Sequence, residues 1–318
     1  MTIKEIWKNP VFSISASVIL LLVILGASVP NKFGEIASTL LNLTTVNFGW
    51  FYLLSVFIVI LALIYLAVSK YGALRLGPDD ALPEFPFFTW VAMLFSAGFG
   101  VGLVFWGVAE PMSHFFKSPV PGVVAQSETA ARVAMGYSFF HRGISQWSVF
   151  AIVGLVMGFL QYRKKKDGLV STALEPVTGT KPAVKATIDS FSVIATVMGI
   201  ATSLGLGILQ INSGLDTIFK TGNSFFIQFI IIVVIFIAYM LSSTTGLDKG
   251  IRYLSNINLG LAIVLMAFVF IAGPTVFILE TFVLGIGDYL TNFIHYSLRL
   301  EPYQKGTWVR DWTIFYWA

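Results

Sequence analysis

The sequence contains no cysteine, and only 11% of its 318 residues are charged. Without thiols, the chain can form neither disulfide bonds nor thiolate metal sites. Water-soluble domains carry about a quarter charged residues. The scarcity of charge, with 56% hydrophobic residues and a mean hydropathy of +0.82, therefore excludes an ordinary soluble domain. The net charge of +4 does not form a basic face interleaved with aromatic residues, so nucleic-acid binding is not predicted.

Residues suited to catalysis are also scarce. The three histidines are His114, His141 and His295, and none belongs to an HExxH motif. Glu110 directly precedes Pro111 after an apolar run, a position where we expect a helix end. The sequence therefore predicts neither an enzyme nor a cofactor. Na⁺, as a possible coupling ion, is the one metal ion that we consider.

Apolar runs of about 20 residues, long enough to cross a bilayer, recur along the chain. Strands of a membrane barrel would show about ten residues of alternating polarity instead. We therefore predict an all-α polytopic membrane protein with a single transmembrane domain over residues 1–318. The predicted spans lie near 11–30, 47–69, 88–109, 136–161, 187–212, 225–241 and 252–279, with an interfacial helix near 282–298 and the start of an eighth span at 308–318.

The positions of lysine and arginine predict the orientation of these spans. Loops on the side of the N-terminus carry more lysine and arginine in total than the loops on the other side, with the densest block at residues 163–166. Positive residues concentrate on the cytoplasmic side, so we predict a bacterial inner-membrane protein with a cytoplasmic N-terminus. Specific binding of anionic lipid is the alternative use of the block. The sequence ends at Ala318 inside an apolar run, which predicts a fragment or a truncated product.

A glycine-rich segment interrupts the third predicted span at Gly98, Gly100 and Gly102. Each glycine costs a helix interior about 1 kcal/mol relative to alanine, so the segment favours an unwound backbone. Unwound backbone at membrane depth lines a cavity or is buried in protein, where its carbonyls can bind a cation and its amides a carboxylate. Close packing of helices through small residues is an equally good interpretation of the spacing.

The fourth and fifth predicted spans carry further candidates for binding. Trp147 and Phe150 share a helix face, which suits a quaternary ammonium group but also ordinary packing. Arg142 lies near the start of the same span, either reaching to the interface or lining a pathway. Thr196 and Ser203 are two helical turns apart, and their hydroxyls suit Na⁺ unless they bond to their own helix's carbonyls.

Three segments resemble the betaine–choline–carnitine transporter family. Residues 95–111 (FSAGFGVGLVFWGVAEP) are similar to its third span, residues 203–207 (SLGLG) to its fifth, and residues 311–318 (DWTIFYWA) to the start of its tryptophan-rich eighth span. The motifs occur in the family's order. The resemblance covers the whole chain and about the first two-thirds of a typical member.

The resemblance implies a leucine-transporter-like fold of two inverted five-helix repeats after two extra helices. The first repeat would be present here and the second nearly all missing. It also implies a secondary transporter that imports glycine betaine or a related quaternary ammonium osmolyte. A homotrimer is the assembly that the resemblance suggests. Choline import, carnitine exchange and a truncated remnant without transport activity are the alternatives.

The resemblance further implies roles for individual residues. Gly98, Gly100 and Gly102 would form a hinge at the substrate. Trp147 and Trp317 would supply an aromatic box, with Phe150 where tyrosine is common. Arg142 stands where the family usually has a box tryptophan, and its guanidinium would repel a trimethylammonium group.

The coupling ion follows from the same comparison. Proton-driven members tend to carry an acidic residue at the position of Gly102, so the resemblance implies Na⁺ coupling. The carbonyls of Ser96 and Phe99 would bind one ion, and the hydroxyls of Thr196 and Ser203 would lie near another.

Overall fold

The computed structural model describes residues 7–246, 250–303 and 306–318, and the side chains of residues 97–101 lie outside the description. The described residues form helices and turns with no strand among them, which confirms the all-α prediction. The helices are α1 (Pro10–Ser28), α2 (Pro30–Val68), α3 (Phe87–Gly98), α4 (Trp106–Phe116), α5 (Glu128–Arg142), α6 (Ile144–Gly158), α7 (Val170–Thr178), α8 (Pro182–Phe219), α9 (Phe225–Thr244), α10 (Arg252–Ala272), α11 (Thr275–Ser297) and α12 (Phe315–Trp317).

Short helical segments of other types extend or join these helices. A 3₁₀ turn at Lys70–Ala73 follows α2, and π-helical segments occupy Phe99–Phe105, Phe159–Arg163 and Arg310–Ile314. By length and composition, seven of the described helices could cross a membrane, counting α5 and α6 with their π-helical extension as one. The prediction of a polytopic membrane protein is confirmed at this level.

Helix α2 is longer than the second predicted span. It begins at Pro30 rather than near residue 47 and runs for 39 residues. Its polar residues do not end it, because their side chains bond to carbonyls of the preceding turn: Thr39 Oγ1 donates to Glu35 O at 2.8 Å and Thr44 Oγ1 to Leu40 O at 2.6 Å. Hydroxyls bonded in this way remain compatible with a helix.

The boundary after the seventh predicted span is also different. The sequence placed the end of this span near residue 279, whereas α10 ends at Ala272 and α11 begins at Thr275. Pro274 lies between them, and it lacks the amide hydrogen needed to continue a helix and restricts Gly273 before it. The interfacial helix predicted near 282–298 is therefore the greater part of α11, which by composition also suits a span.

The buried core lies where α2, α5, α11 and the last described segment meet. Tyr137 of α5 stacks on Tyr296 of α11 with ring centroids 4.0 Å apart. Arg132 and Asp288 connect the same two helices through two hydrogen bonds of 2.6 Å. The buried residues of this core are Leu53, Tyr137, Phe140, Tyr289, Tyr296, Trp308, Val309 and Ile314.

Gly143 makes the junction between α5 and α6 possible. A Cβ at this position would lie 2.6 Å from Phe139 O and 2.7 Å from Tyr289 Oη. The hydroxyl of Tyr289 accepts from Ile144 N at 3.0 Å, so it satisfies a backbone donor at the start of α6. This close approach fixes the end of α5, where His141 and Arg142 lie.

Candidate functional site

Glu110 occupies a buried position inside a helix, contrary to the predicted helix end. Pro111 lies within α4, which continues to Phe116. Glu110 is 1% exposed and His114, one turn later, is 0% exposed. Both therefore project from one buried face of α4, which packs against α5.

The Glu110 carboxylate is the centre of a buried polar cluster. Its Oε1 lies 2.6 Å from His141 Nδ1 and 3.5 Å from His114 Nε2. Its Oε2 accepts from Arg142 Nη2 at 2.9 Å and from Tyr316 Oη at 2.9 Å. We call Glu110, His114, His141, Arg142, Thr313 and Tyr316 the Glu110 cluster.

The remaining contacts of the cluster reach the last described segment. His141 Nε2 lies 2.9 Å from Thr313 Oγ1, and Arg142 Nη2 donates to Tyr316 Oη at 3.0 Å. The Arg142 guanidinium also lies over the Tyr316 ring, 4.8 Å from its centroid, a cation–π contact. The cluster therefore connects α4, α5 and the Arg310–Ile314 and α12 segment.

Charge balance makes the cluster possible in a buried setting. A lone buried carboxylate would be costly, whereas one paired with a guanidinium and fully hydrogen-bonded is tolerated. The Arg142 side chain is 18% exposed and that of Glu110 1%. The Arg142 guanidinium, its charge balanced by Glu110, is therefore partly accessible to solvent.

Glu110, His114 and His141 also have the donor types of a metal site, with ligand atoms within 4.8 Å of one another. The contacts of Glu110 favour a different interpretation. Its 2.6 Å distance to His141 is a hydrogen-bond length, and Arg142 and Tyr316 already use its second oxygen. A guanidinium beside the carboxylate also opposes a divalent cation, so the geometry is that of a hydrogen-bonded cluster.

Tryptophan rings surround the histidines of the cluster. The His114 ring lies 5.0 Å from that of Trp308 and 4.5 Å from that of Trp312, measured between centroids. Trp312 also meets the Trp106 ring edge-on at 6.0 Å. The tryptophan-rich segment therefore covers α4 as well as α5.

The structure separates the residues predicted to bind substrate into two groups. Arg142 belongs to the Glu110 cluster, and Trp317 lies beside it, with its ring 6.3 Å from that of His141. Trp147, on α6, packs instead against Phe95 at 4.6 Å and Phe150 at 5.7 Å. The expected repulsion by Arg142 assumed an unpaired guanidinium, and the pair with Glu110 removes this premise.

The glycine-rich break appears as a π-helical segment over Phe99–Phe105. Gly98, Phe99 and Gly100 fall among the residues whose side chains lie outside the description. At Gly102, a Cβ would meet nothing within 4 Å, so close helix packing does not explain this glycine. The sequence predicted unwound backbone here, whereas the structure keeps the segment helical with a change of hydrogen-bond register.

The predicted Na⁺ ligands have their own contacts. Ser96 O accepts from Asn258 Nδ2 of α10 at 3.1 Å. Thr196 Oγ1 donates to Ser192 O at 2.8 Å, the common use of a hydroxyl in a helix. The lone pairs of its oxygen remain available to a cation. Thr196 and Ser203 both lie on the continuous helix α8 and are exposed.

Residues 10–318 match the family model described as betaine/carnitine/choline family transporter. The chain is 62% identical to the ectoine/hydroxyectoine transporter of Virgibacillus pantothenticus over 315 residues, covering 99% of this chain and 63% of the relative. It is 42% identical to the glycine betaine transporter OpuD of Bacillus subtilis (strain 168), covering 98% and 61%. It is 36% identical to the osmo-dependent choline transporter BetT2 of Acinetobacter baylyi, covering 99% and 46%.

The chain thus spans about three-fifths of the length of the first two relatives. The relatives are transporters rather than enzymes, in agreement with the prediction from the sequence. The matched residues include α1 through α12 and the whole Glu110 cluster. This chain belongs to the betaine/carnitine/choline transporter family.

Proposed function

We propose that the protein is a secondary transporter that imports a zwitterionic osmolyte, with ectoine as the first candidate and glycine betaine as the second. The 62% identity to an ectoine/hydroxyectoine transporter supports ectoine. The 42% identity to a glycine betaine transporter supports the second candidate. Both solutes carry one carboxylate and one delocalised or quaternary cationic group.

The observation that supports this proposal best is the state of Arg142. Among the described residues, the Arg142 side chain donates only from Nη2, to Glu110 and Tyr316. Within the same part of the chain, its Nη1 atom forms no hydrogen bond, and its Nε atom is also unpaired but buried. A guanidinium carries five N–H donors, so donors remain for a substrate carboxylate. Hydrogen bonds of this charge-assisted kind are about twice as strong as neutral ones.

Glu110 explains why such a site also accepts the cationic end of a zwitterion. It balances the charge of Arg142 at 2.9 Å, so the pair presents donors without a net positive charge. The aromatic faces of Trp147 and Trp317 are the candidates for the cationic end, since cations bind to tryptophan faces. A solute without net charge matches a site without net charge.

Na⁺ is the coupling ion in this proposal. Gly102 leaves the glycine-rich segment without an acidic proton carrier. The π-helical register at Phe99–Phe105 also alters which carbonyls are bonded within the helix. Ser96 and Phe99 would supply carbonyls for one ion, and Thr196 and Ser203 hydroxyls for another. The inverted-repeat fold, the homotrimer and the cytoplasmic N-terminus belong to the same proposal.

Uptake of radiolabelled solute by cells that lack other osmolyte carriers tests the function. We expect cells producing the protein to accumulate ectoine, and glycine betaine more weakly, when Na⁺ is higher outside. Uptake that follows pH and ignores Na⁺ would refute the coupling. Transport of choline in preference to both zwitterions would refute the role given to the carboxylate.

A further inference from the structure

An apolar groove lies at the ends of α2 and α6, away from the Glu110 cluster. It has a volume of about 540 Å³, and α7 closes one side through Ala173. Its walls are almost entirely aliphatic or aromatic, and they include Leu63, Leu66, Leu155, Val156, Phe159 and Leu160. Such a space suits a hydrocarbon chain rather than a polar solute.

Two lysines lie beside the groove. Lys70 Nζ is 5.5 Å from the ring centroid of Tyr71, and Lys164 Nζ is 5.6 Å from that of Phe159. Both rings line the groove, so these cation–π contacts hold the two ammonium groups at its edge. Neither lysine forms an ion pair within residues 7–246, 250–303 and 306–318.

Asp79, an acidic residue in the loop after the 3₁₀ turn, is already paired with a cation. Asp79 Oδ1 accepts from Arg163 Nη1 at 2.5 Å, and Arg163 Nη1 also donates to Gly77 O at 3.0 Å. The Arg163 guanidinium lowers the pKa of the Asp79 carboxyl. These contacts hold the loop next to Leu76, another residue of the groove wall, and they take Asp79 out of competition with an anion for Lys70 and Lys164.

We propose that this groove binds one anionic phospholipid, with an acyl chain between α2, α6 and α7 and the phosphate at Lys70 and Lys164. Charge complementarity identifies the occupant, because an apolar groove beside two unpaired lysines matches a chain attached to a phosphate. Lys165 and Lys166 extend the positive field. Clusters of basic residues at a membrane surface attract the negatively charged headgroups of anionic lipids.

Native mass spectrometry of the purified protein tests the proposal, with dioleoyl phosphatidylglycerol and dioleoyl phosphatidylcholine as probes. We expect one phosphatidylglycerol to remain bound under conditions that remove phosphatidylcholine. A Lys70→Ala/Lys164→Ala double variant should bind phosphatidylglycerol roughly thirtyfold more weakly, since each lysine near an anionic headgroup contributes about 1 kcal/mol. The control, Lys32→Ala/Lys117→Ala, removes the same charge at exposed positions away from the groove and should bind as the wild type does.

A second variant tests the groove itself. Ala173→Phe fills the cavity and leaves both lysines in place, so it should also lose phosphatidylglycerol. Ala67→Phe, on the wall formed by α2, serves if the first variant does not fold, as judged by its melting temperature. Equal binding of both lipids, equal loss in both lysine double variants, or full retention in the filled groove would each overturn the proposal.

Discussion

Replacing Glu110 with glutamine should strongly destabilise the protein. The substitution keeps the size of the side chain and removes the charge that balances Arg142 at 2.9 Å. Removing one partner of a buried ion pair costs about 3–5 kcal/mol. Because the glutamine amide can still form neutral hydrogen bonds with some neighbours, we expect the lower end, about 3 kcal/mol. At about 2–4 °C per kcal/mol, the melting temperature should fall by roughly 6–12 °C.

Thermal unfolding in detergent, followed by intrinsic tryptophan fluorescence, measures this change. Glu35→Gln is the matched control, because Glu35 is exposed on α2 and loses the same charge. We expect the control to melt within about 1 °C of the wild type, as surface substitutions usually do. Equal melting temperatures for the two variants would refute the account of a charge-balanced buried cluster.

A double-mutant cycle separates the pair from the other contacts of Glu110. Arg142→Gln alone leaves the carboxylate without its cation, whereas Arg142→Gln with Glu110→Gln removes both charges. We expect the double variant to be less destabilised than the sum of the two single variants by about 1–3 kcal/mol. Strict additivity would show that the two side chains do not stabilise each other.

Two further predictions compare neighbours on one helix. Gly285→Ala should cost about 1–3 kcal/mol by overpacking, because its Cβ would lie 2.5 Å from the Phe139 ring. Gly287→Ala should be neutral or stabilising, because nothing lies within 4 Å of its Cβ. Comparing the melting temperatures of the two variants tests this difference. Thr196→Val should raise the Na⁺ concentration for half-maximal uptake several-fold. Thr187→Val, which loses an equivalent bond on α8, should leave it unchanged, and equal Na⁺ curves would exclude Thr196 as a ligand.

The helices were largely predictable from the sequence, because in a bilayer the length of an apolar run determines whether it can span. The position of the irregularity after Gly98 was predictable too, since three glycines in five residues weaken a helix there. Its form was not, because the sequence predicted unwound backbone and the structure has a π-helical segment. The long first part of α2 was not, because residues such as Thr39 and Thr44 look polar in sequence yet bond to their own helix.

The Glu110 cluster could not be predicted from local patterns. Glu110 is 31 residues from His141 and 206 from Tyr316 in sequence, and spacing along one helix does not show which helices meet. One local signal was present, because Glu110 and His114 are four residues apart and so share a helix face. Pro111 obscured it by suggesting a helix end that the structure does not contain.

Binding of ectoine to the purified protein, with choline as competitor, tests the central claim most directly. Choline carries the quaternary ammonium group but no carboxylate, so it cannot use the free donors of Arg142. We predict saturable quenching of tryptophan fluorescence by ectoine, displacement by glycine betaine, and little displacement by choline at the same concentration. Displacement by choline as strong as that by glycine betaine would contradict the account.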